Sequence, residues 1–382
     1  MKKKVCILGS TGSIGCSALN LISQHRDKYD VLTITANDNV RKLAQQAIEF
    51  QVKNVVICNE DKYAALKMLL SSYDINVYGG ETDLNSLASM EYDVAIVGIS
   101  GIAALMPIMS TLKNSKIVGL ANKESIICAG DFIIEEARKK GTHLIPLDSE
   151  HNAIFQVFEN NNRKHIEKLV LTASGGPFLN KSLDEMKNVT PEEAIKHPNW
   201  KMGSKISVDC ANMMNKGLEV IEACKLFDLD IEKVEAIIHP ESLIHGMVHY
   251  SDGSILAQMG YHDMRTPIST ALDYPKRTEF SHHRLDLAKI GSFTFKEIDA
   301  KRFPLFYLTK QAYAMGNCAL IVLNIANEVA VKAYLERKIG FLDINKIIEN
   351  ALQKIEQTQI SSVEDVINYS ETYALYCSKI SL

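Results

Sequence analysis

Short apolar runs rich in β-branched residues recur through the first 150 positions, at 4–8, 31–35, 54–58, 93–97, 116–120 and 143–147. Between them, stretches such as 40–50, 62–70 and 124–139 place apolar residues every three or four positions, the period of a helix with one buried face. Strands alternating with helices of roughly 10–15 residues specify βαβ units and a parallel sheet. Gly141 closes the third helix just ahead of the strand at His143, as a C-terminal stop does.

The texture changes near residue 150. Another strand is predicted over 168–173, and Ser174-Gly175-Gly176-Pro177 after it must be a loop. Ser182 with Glu185, and Thr190 with Glu193, read as capping boxes, the second with Pro191 at the first helical position. A loop over 197–203 holds the single Trp, and a helix follows at about 213–227. Strands are expected over 234–249 and 254–259, and helical spacing dominates from 305 onward, at 319–337, 343–357 and 363–379. The division that follows is 1–149 for a cofactor-binding domain, 150–274 for a catalytic domain with a flap near 195–204, 275–300 for a connector, and 301–382 for a helical domain. The fold class is α/β, with a Rossmann-type N-terminal parallel sheet, an α+β catalytic domain and an α-helical C-terminal domain.

Composition narrows the partners. Lys and Arg number 42 against 46 Asp and Glu, a net charge of −4 that lacks the basic footprint of a nucleic-acid binder. Met1-Lys2-Lys3-Lys4 is basic like a signal peptide, but the apolar run behind it is too short for one. No window reaches the ~20 apolar residues of a membrane span. The 8 cysteines are scattered without a C-x-x-C pair, which favours reduced, packed thiols over a zinc site. A cytoplasmic protein with no membrane partner is expected.

Gly9-Ser10-Thr11-Gly12-Ser13-Ile14-Gly15 follows the first strand and opens the first helix, where glycines and free N–H groups accept a pyrophosphate. The G-x-x-G-x-x-G spacing is a variant associated with NADP-using folds. In the loop after the second strand, Asp38 points toward NAD, while Asn37 and Asn39 permit a 2′-phosphate. Asp148 and Glu150 follow the sixth apolar run. Strand alternation would put both carboxylates on one face, suiting Mg²⁺ or Mn²⁺, though a helix cap or surface pair serves equally. Asn215 and Glu219, four apart on a helix, share a face with the means to complete a metal site, while Asn215 and Lys216 suit an anion. A solvated helix face has the same spacing. Lys123, at another strand end, either contacts a substrate oxygen or pairs with Glu124. Ser174-Gly175-Gly176 fits an anion-cradling loop or a plain turn.

Taken in order, Gly9-Ser-Thr-Gly-Ser-Ile-Gly15, Leu120-Ala-Asn-Lys-Glu-Ser125, Asp148-Ser-Glu-His-Asn-Ala-Ile-Phe155, Ala173-Ser-Gly-Gly-Pro-Phe178, His197-Pro-Asn-Trp-Lys-Met-Gly203, Lys205-Ile-Ser-Val-Asp209, Met213-Met-Asn-Lys-Gly-Leu-Glu219 and Asp263-Met-Arg-Thr-Pro-Ile268 resemble the 1-deoxy-D-xylulose 5-phosphate reductoisomerase family. The resemblance implies an NADPH-dependent enzyme of non-mevalonate isoprenoid synthesis. It would convert that phosphosugar to 2-C-methyl-D-erythritol 4-phosphate by rearrangement and reduction. By similarity, Asp148, Glu150 and Glu219 hold Mg²⁺ or Mn²⁺. Lys123 and Ser149 contact substrate oxygens, and Ser174, Asn215 and Lys216 form the phosphate site. His197 and Trp200 sit on a closing flap. Thr11, Gly12, Ser13, Ile14, Asn37, Asn39, Asn122, Glu124 and Gly203 match cofactor positions, and a homodimer is implied.

Two departures stand out. Cys210 occupies a place where the family carries a phosphate-binding Ser, and a thiol is the weaker donor. The loop Ala36-Asn37-Asp38-Asn39 stands where the family tends toward Gly-Lys-Asn. Two other readings remain. A semialdehyde-dehydrogenase-like enzyme would need a nucleophilic Cys such as Cys128. A redox-sensing nucleotide binder would have a decayed site, against which Lys123, Asp148, Glu150, His197 and Glu219 stand intact. His239, His245 and His249 suggest a metal set, but strand alternation there favours a structural role.

Overall fold

A computed structural model describes residues 1–200 and 202–380, with side chains through 377; Lys201 of the 197–203 motif lies outside the described residues. The chain divides into two compact units.

The first unit comprises Met1–Ser125, Asp131–Asn152 and Asp263–His282. Its strands are β1 (Lys3–Leu8), β2 (Tyr29–Ala36), β3 (Asn54–Ile57), β4 (Asn76–Gly79), β5 (Tyr92–Val97), β6 (Ser115–Leu120) and β7 (His143–Pro146). They pair in parallel in the order β4-β3-β2-β1-β5-β6-β7. The order reverses at β1, so the loops after β1 and β5 flank the crevice where a doubly wound sheet binds its ligand. The Rossmann-type sheet expected from the alternation is present. β4 had no apolar run to announce it: it has four residues, none of them buried, at the sheet edge.

The helix Arg265–Asp273 returns to this unit and packs on the helix Ser13–Ser23 and on β6. Gly119 in β6 permits that approach, since a Cβ there would lie 3.0 Å from Ala271 Cβ and 2.9 Å from Ile96 Cδ1. Lys3 Nζ fixes the end of the helix, donating to Asp273 Oδ1 and to the Leu272 carbonyl at 2.7 Å each. The division at 274 expected from the sequence groups this helix with the catalytic segment, whereas Asp263–His282 clusters with the first unit.

The second unit comprises Ile126–Gly130, Ala153–His262 and the chain from His283. Its mixed sheet runs β11 (Ile255–Met259), β10 (Ile244–Tyr250), β8 (Ile166–Ala173), β9 (Val234–Ile238). The helix Met214–Phe227 packs on β8 and β9 and against the helix Pro304–Met315. Both capping boxes form, at Ser182 with Glu185 and at Thr190 with Glu193. The strand expected over 234–249 is instead broken between β9 and β10. Pro240 offers no N–H to a ladder, and Ser242 takes a left-handed φ of 50°.

The helix Asn317–Leu335 is long and apolar enough to cross a membrane, with 19 residues and a mean hydropathy of 1.5, which corrects the reading that no window reaches that range. Its window is 78% buried, among the helices Pro304–Met315, Asp343–Leu352 and Val363–Ile380, so it is the core helix of this unit.

Candidate active site

After β1 the chain turns at Gly9, whose φ of +80° and whose Cβ position, 2.9 Å from the Gly98 carbonyl, admit only glycine. The end of β2 holds the loop: Gly9 N–H donates to Thr35 Oγ1 at 3.0 Å and Ser10 N–H to the Thr35 carbonyl at 2.8 Å. Lys42 Nζ adds a bond to the Thr11 carbonyl at 2.9 Å, and Ser10 Oγ donates to Gln46 at 2.8 Å. Gly12 precedes the helix Ser13–Ser23 and no side chain caps it, so the N–H groups of that turn and the positive end of the helix dipole are left for an anion. Gly15 lets the helix press on the loop, since its Cβ would fall 2.3 Å from Ser10 Cα.

Past β2, Asn37, Asp38 and Asn39 are exposed. Asn39 Oδ1 accepts from Lys42 N–H at 3.2 Å and caps the helix Val40–Phe50. Past β6, Asn122 is fully buried and wholly engaged: it accepts from Ser125 N–H at 2.7 Å and donates to the Ile99 and Gly101 carbonyls at 3.0 and 2.9 Å. It braces the β5 and β6 loops against each other. Glu124 lies in the first turn of the helix Lys123–Lys140.

The acidic pair departs from the expected geometry. β7 ends at Pro146 and a helix, Ser149–Val157, starts at once, with Asn152 N–H bonding the Asp148 carbonyl at 2.9 Å. Asp148 therefore precedes a helix and Glu150 sits in its first turn, so a helix start, not strand alternation, brings their oxygens within 4.8 Å. Ser149 Oγ donates to Glu150 Oε2. Lys123 Nζ lies 2.7 Å from Asp148 Oδ2, an ion pair between two largely buried side chains. Burial opposes ionisation of Asp148, but the Lys123 ammonium and His151, whose Nδ1 lies 3.6 Å from Asp148 Oδ1, hold the carboxyl well below the usual range.

In the second unit, Asn215, Lys216 and Glu219 are 7%, 4% and 1% exposed, which removes the solvated-face reading. Asn215 Nδ2 donates to Glu219 Oε1 and Lys216 Nζ to Glu219 Oε2, so one carboxylate gathers both anion-binding candidates. The loop after β8 belongs to the same unit. Ser174 Oγ accepts from Gly176 N–H at 3.1 Å and lies 3.0 Å from His197 Nε2. Gly176 packs on the helix Ser204–Ala211 at Cys210, where a Cβ would lie 2.6 Å from the Cys210 carbonyl.

His197 Nδ1 accepts from the N–H groups of Asn199 and Trp200 at 3.2 and 3.0 Å, so this nitrogen carries no proton and Nε2–H is left to donate to Ser174. Burial, His262 and Lys216 push its pKa down to about 4. Trp200 packs edge-on to His262, ring centroids 5.4 Å apart, and 6.4 Å from His245. Asn199 ties the loop down through the Pro240 carbonyl at 2.9 Å and Ser242 Oγ at 3.0 Å.

Each unit thus gathers its own share of the expected residues. Thr11, Gly12, Ser13, Ile14, Asn37, Asn39, Asn122, Lys123, Glu124, Asp148, Ser149 and Glu150 belong to the first. Ser174, His197, Trp200, Gly203, Cys210, Asn215, Lys216 and Glu219 belong to the second, with Gly203 preceding the helix Ser204–Ala211. Residues the sequence reading passed over include Lys42 and His151. The first is three positions from the cap Asn39, and the second three from Asp148, spacings that signal contact on a helix. Cys128 is fully buried, unlike a thioester-forming nucleophile. His239 and His245 bond backbone carbonyls, Thr294 at 3.0 Å and Gly260 at 3.1 Å.

Three family models cover most of the chain: 1-deoxy-D-xylulose 5-phosphate reductoisomerase over residues 5–130, its C-terminal domain over 144–227, and a DXP reductoisomerase C-terminal domain over 259–374. The chain belongs to the 1-deoxy-D-xylulose 5-phosphate reductoisomerase family. The family's protein from Zymomonas mobilis is 47% identical over 364 residues, covering 95% of this chain and 94% of the relative. A solved Zymomonas mobilis reductoisomerase in complex with NADPH matches with a TM-score of 0.95 at 44% identity, over 100% of this chain and 99% of that one. A second family structure, in complex with NADPH, fosmidomycin and magnesium, matches with a TM-score of 0.94 at 39% identity, over 99% of this chain and 98% of that one.

Proposed function

We propose that this chain converts 1-deoxy-D-xylulose 5-phosphate to 2-C-methyl-D-erythritol 4-phosphate, using NADPH and Mg²⁺ or Mn²⁺. The observation that carries the reading is the donor set: three carboxylates, Asp148, Glu150 and Glu219, none exposed and each with a lysine or hydroxyl partner. All-oxygen acidic donors fit a hard divalent cation, and the uncapped helix start behind Gly12 fits a pyrophosphate.

In this reading Asp148, Glu150 and Glu219 hold the ion. Thr11, Gly12, Ser13, Ile14, Asn37, Asn39, Asn122, Glu124 and Gly203 line the cofactor. The bound cation supplies Lewis-acid polarisation of substrate oxygens, and the nicotinamide supplies the hydride. Lys123 turns from Asp148 to a substrate oxygen, beside Ser149. Lys216 and Asn215, released from Glu219, bind the phosphate with Ser174 and with Cys210, whose thiol is a weaker donor than a hydroxyl. His197 keeps its Nε2 proton on Ser174, holding that hydroxyl in place, and Trp200 covers the substrate and excludes water. A cytoplasmic homodimer belongs to the same proposal, supported by the edge strand β11, where Ile255 is 52% and Leu256 37% exposed.

Glu150→Gln tests the metal role. It should abolish turnover while NADPH binding stays near its original strength; equal loss of both would remove the metal role of Glu150.

A further inference from the structure

The adenosine ribose 2′ position separates NADPH from NADH, and in a sheet of this topology it meets the loop after β2. Thr35, in β2, bonds the N–H groups of Gly9 and Ser10, so the residues just past β2 lie beside the phosphate-binding loop. Asp38, three positions beyond Thr35, is exposed and its carboxylate is oriented from both sides. Asn37 Nδ2 donates to Oδ2 at 2.6 Å and Asn59 Nδ2 to Oδ1 at 2.7 Å. An ionised carboxylate only accepts hydrogen bonds, and one amide on each oxygen leaves the remaining lone pairs aimed in fixed directions. That arrangement suits a hydroxyl donor and opposes a phosphate. Arg41, exposed, is the second residue of the helix Val40–Phe50 that Asn39 caps, one turn from Asp38 along the chain, whereas Lys42 is engaged with the Thr11 carbonyl at 2.9 Å.

We propose that Asp38 makes this chain a dual-cofactor enzyme: NADH is accepted through a hydrogen bond from its ribose 2′-hydroxyl to the Asp38 carboxylate, and NADPH through attraction of its 2′-phosphate to Arg41. The proposal rests on the reductoisomerase reading for the use of a nicotinamide. The chemistry is the same for either dinucleotide. The C4 hydride passes to the carbonyl carbon of the rearranged substrate, a proton completes the alcohol, and NAD⁺ or NADP⁺ leaves.

The test is titration of the substrate-free protein with NADH and with NADPH, followed by nucleotide fluorescence, for the parent, Asp38→Asn and Asp38→Lys. The parent should bind the two with dissociation constants within about tenfold of each other. One charge-assisted hydrogen bond lost and one repulsion relieved are each worth about tenfold, so D38K should favour NADPH by roughly a further 100-fold, with D38N between. A parent that already prefers NADPH by more than about 100-fold, or a preference unmoved in D38K, overturns the role of Asp38. Turnover with NADPH, metal and 1-deoxy-D-xylulose 5-phosphate, run beside the titration, separates the two failures. If it persists, only the role of Asp38 falls. If neither dinucleotide binds and turnover is absent, the reductoisomerase reading falls and this proposal with it.

Discussion

Gly217→Ala probes how tightly the helix that carries Asn215, Lys216 and Glu219 is seated. An alanine Cβ would lie 2.3 Å from Thr309 Oγ1, 2.6 Å from its Cγ2 and 3.0 Å from its Cβ. Thr309 is fully buried on the helix Pro304–Met315, and its hydroxyl donates to the Phe306 carbonyl at 2.6 Å, so it has no open space to turn into. In an exposed helix the substitution would gain about 1 kcal/mol from helix propensity. Overpacking a filled core costs about 1–3 kcal/mol, and three contacts at or inside 3.0 Å place this site at the upper end. The net expectation is a loss of about 1–2 kcal/mol, read as a lower urea midpoint with an unchanged slope. Thr309→Ala removes the two nearest atoms, so the double variant should recover about 1 kcal/mol relative to the sum of the singles. A G217A protein as stable as the parent, or a coupling near zero, would refute the packing argument.

Lys123→Met leaves the largely buried Asp148 carboxylate without its cation and should cost about 3 kcal/mol at neutral pH by urea unfolding, the low end for a broken buried pair because His151 remains nearby. Asp148 is depressed in the folded parent, so its contribution is present above the unfolded value of about 4 and fades as pH falls below it; the gap between parent and variant should narrow there. His197 and His245 are both pushed down to about 4, chiefly by burial. Because their folded values lie below the unfolded one, about 6.5, their contribution is complete above about pH 6.5 and is lost as pH falls toward 4. Stability should decline over that window, and His245→Asn should flatten the decline; an unchanged slope would contradict burial as the cause.

Six of the seven strands of the first sheet were legible because a strand buried on both faces is a continuous apolar run, as in β1, where Val5, Cys6, Ile7 and Leu8 are fully buried. β4 lacked that signal at the sheet edge. Pro146 marked the end of β7, yet the D-x-E spacing was read with strand alternation; the helix beginning at Ser149 produces the convergence instead. The break at Pro240 was hidden by alternation that continues on either side of it. Residue types named the carboxylates, while their partners were set by tertiary packing. Lys123 reaches from the helix start after β6 to Asp148, and the burial of Lys216 with Glu219 depends on neighbouring elements that no local pattern records.

The central claim meets its most direct test in following NADPH oxidation at 340 nm on the purified chain (the absorbance band of the reduced nicotinamide ring). Oxidation should occur only when 1-deoxy-D-xylulose 5-phosphate and Mg²⁺ or Mn²⁺ are both present, stop on addition of EDTA and return with excess metal. Oxidation that persists in EDTA, or none with substrate and metal supplied, would contradict the account.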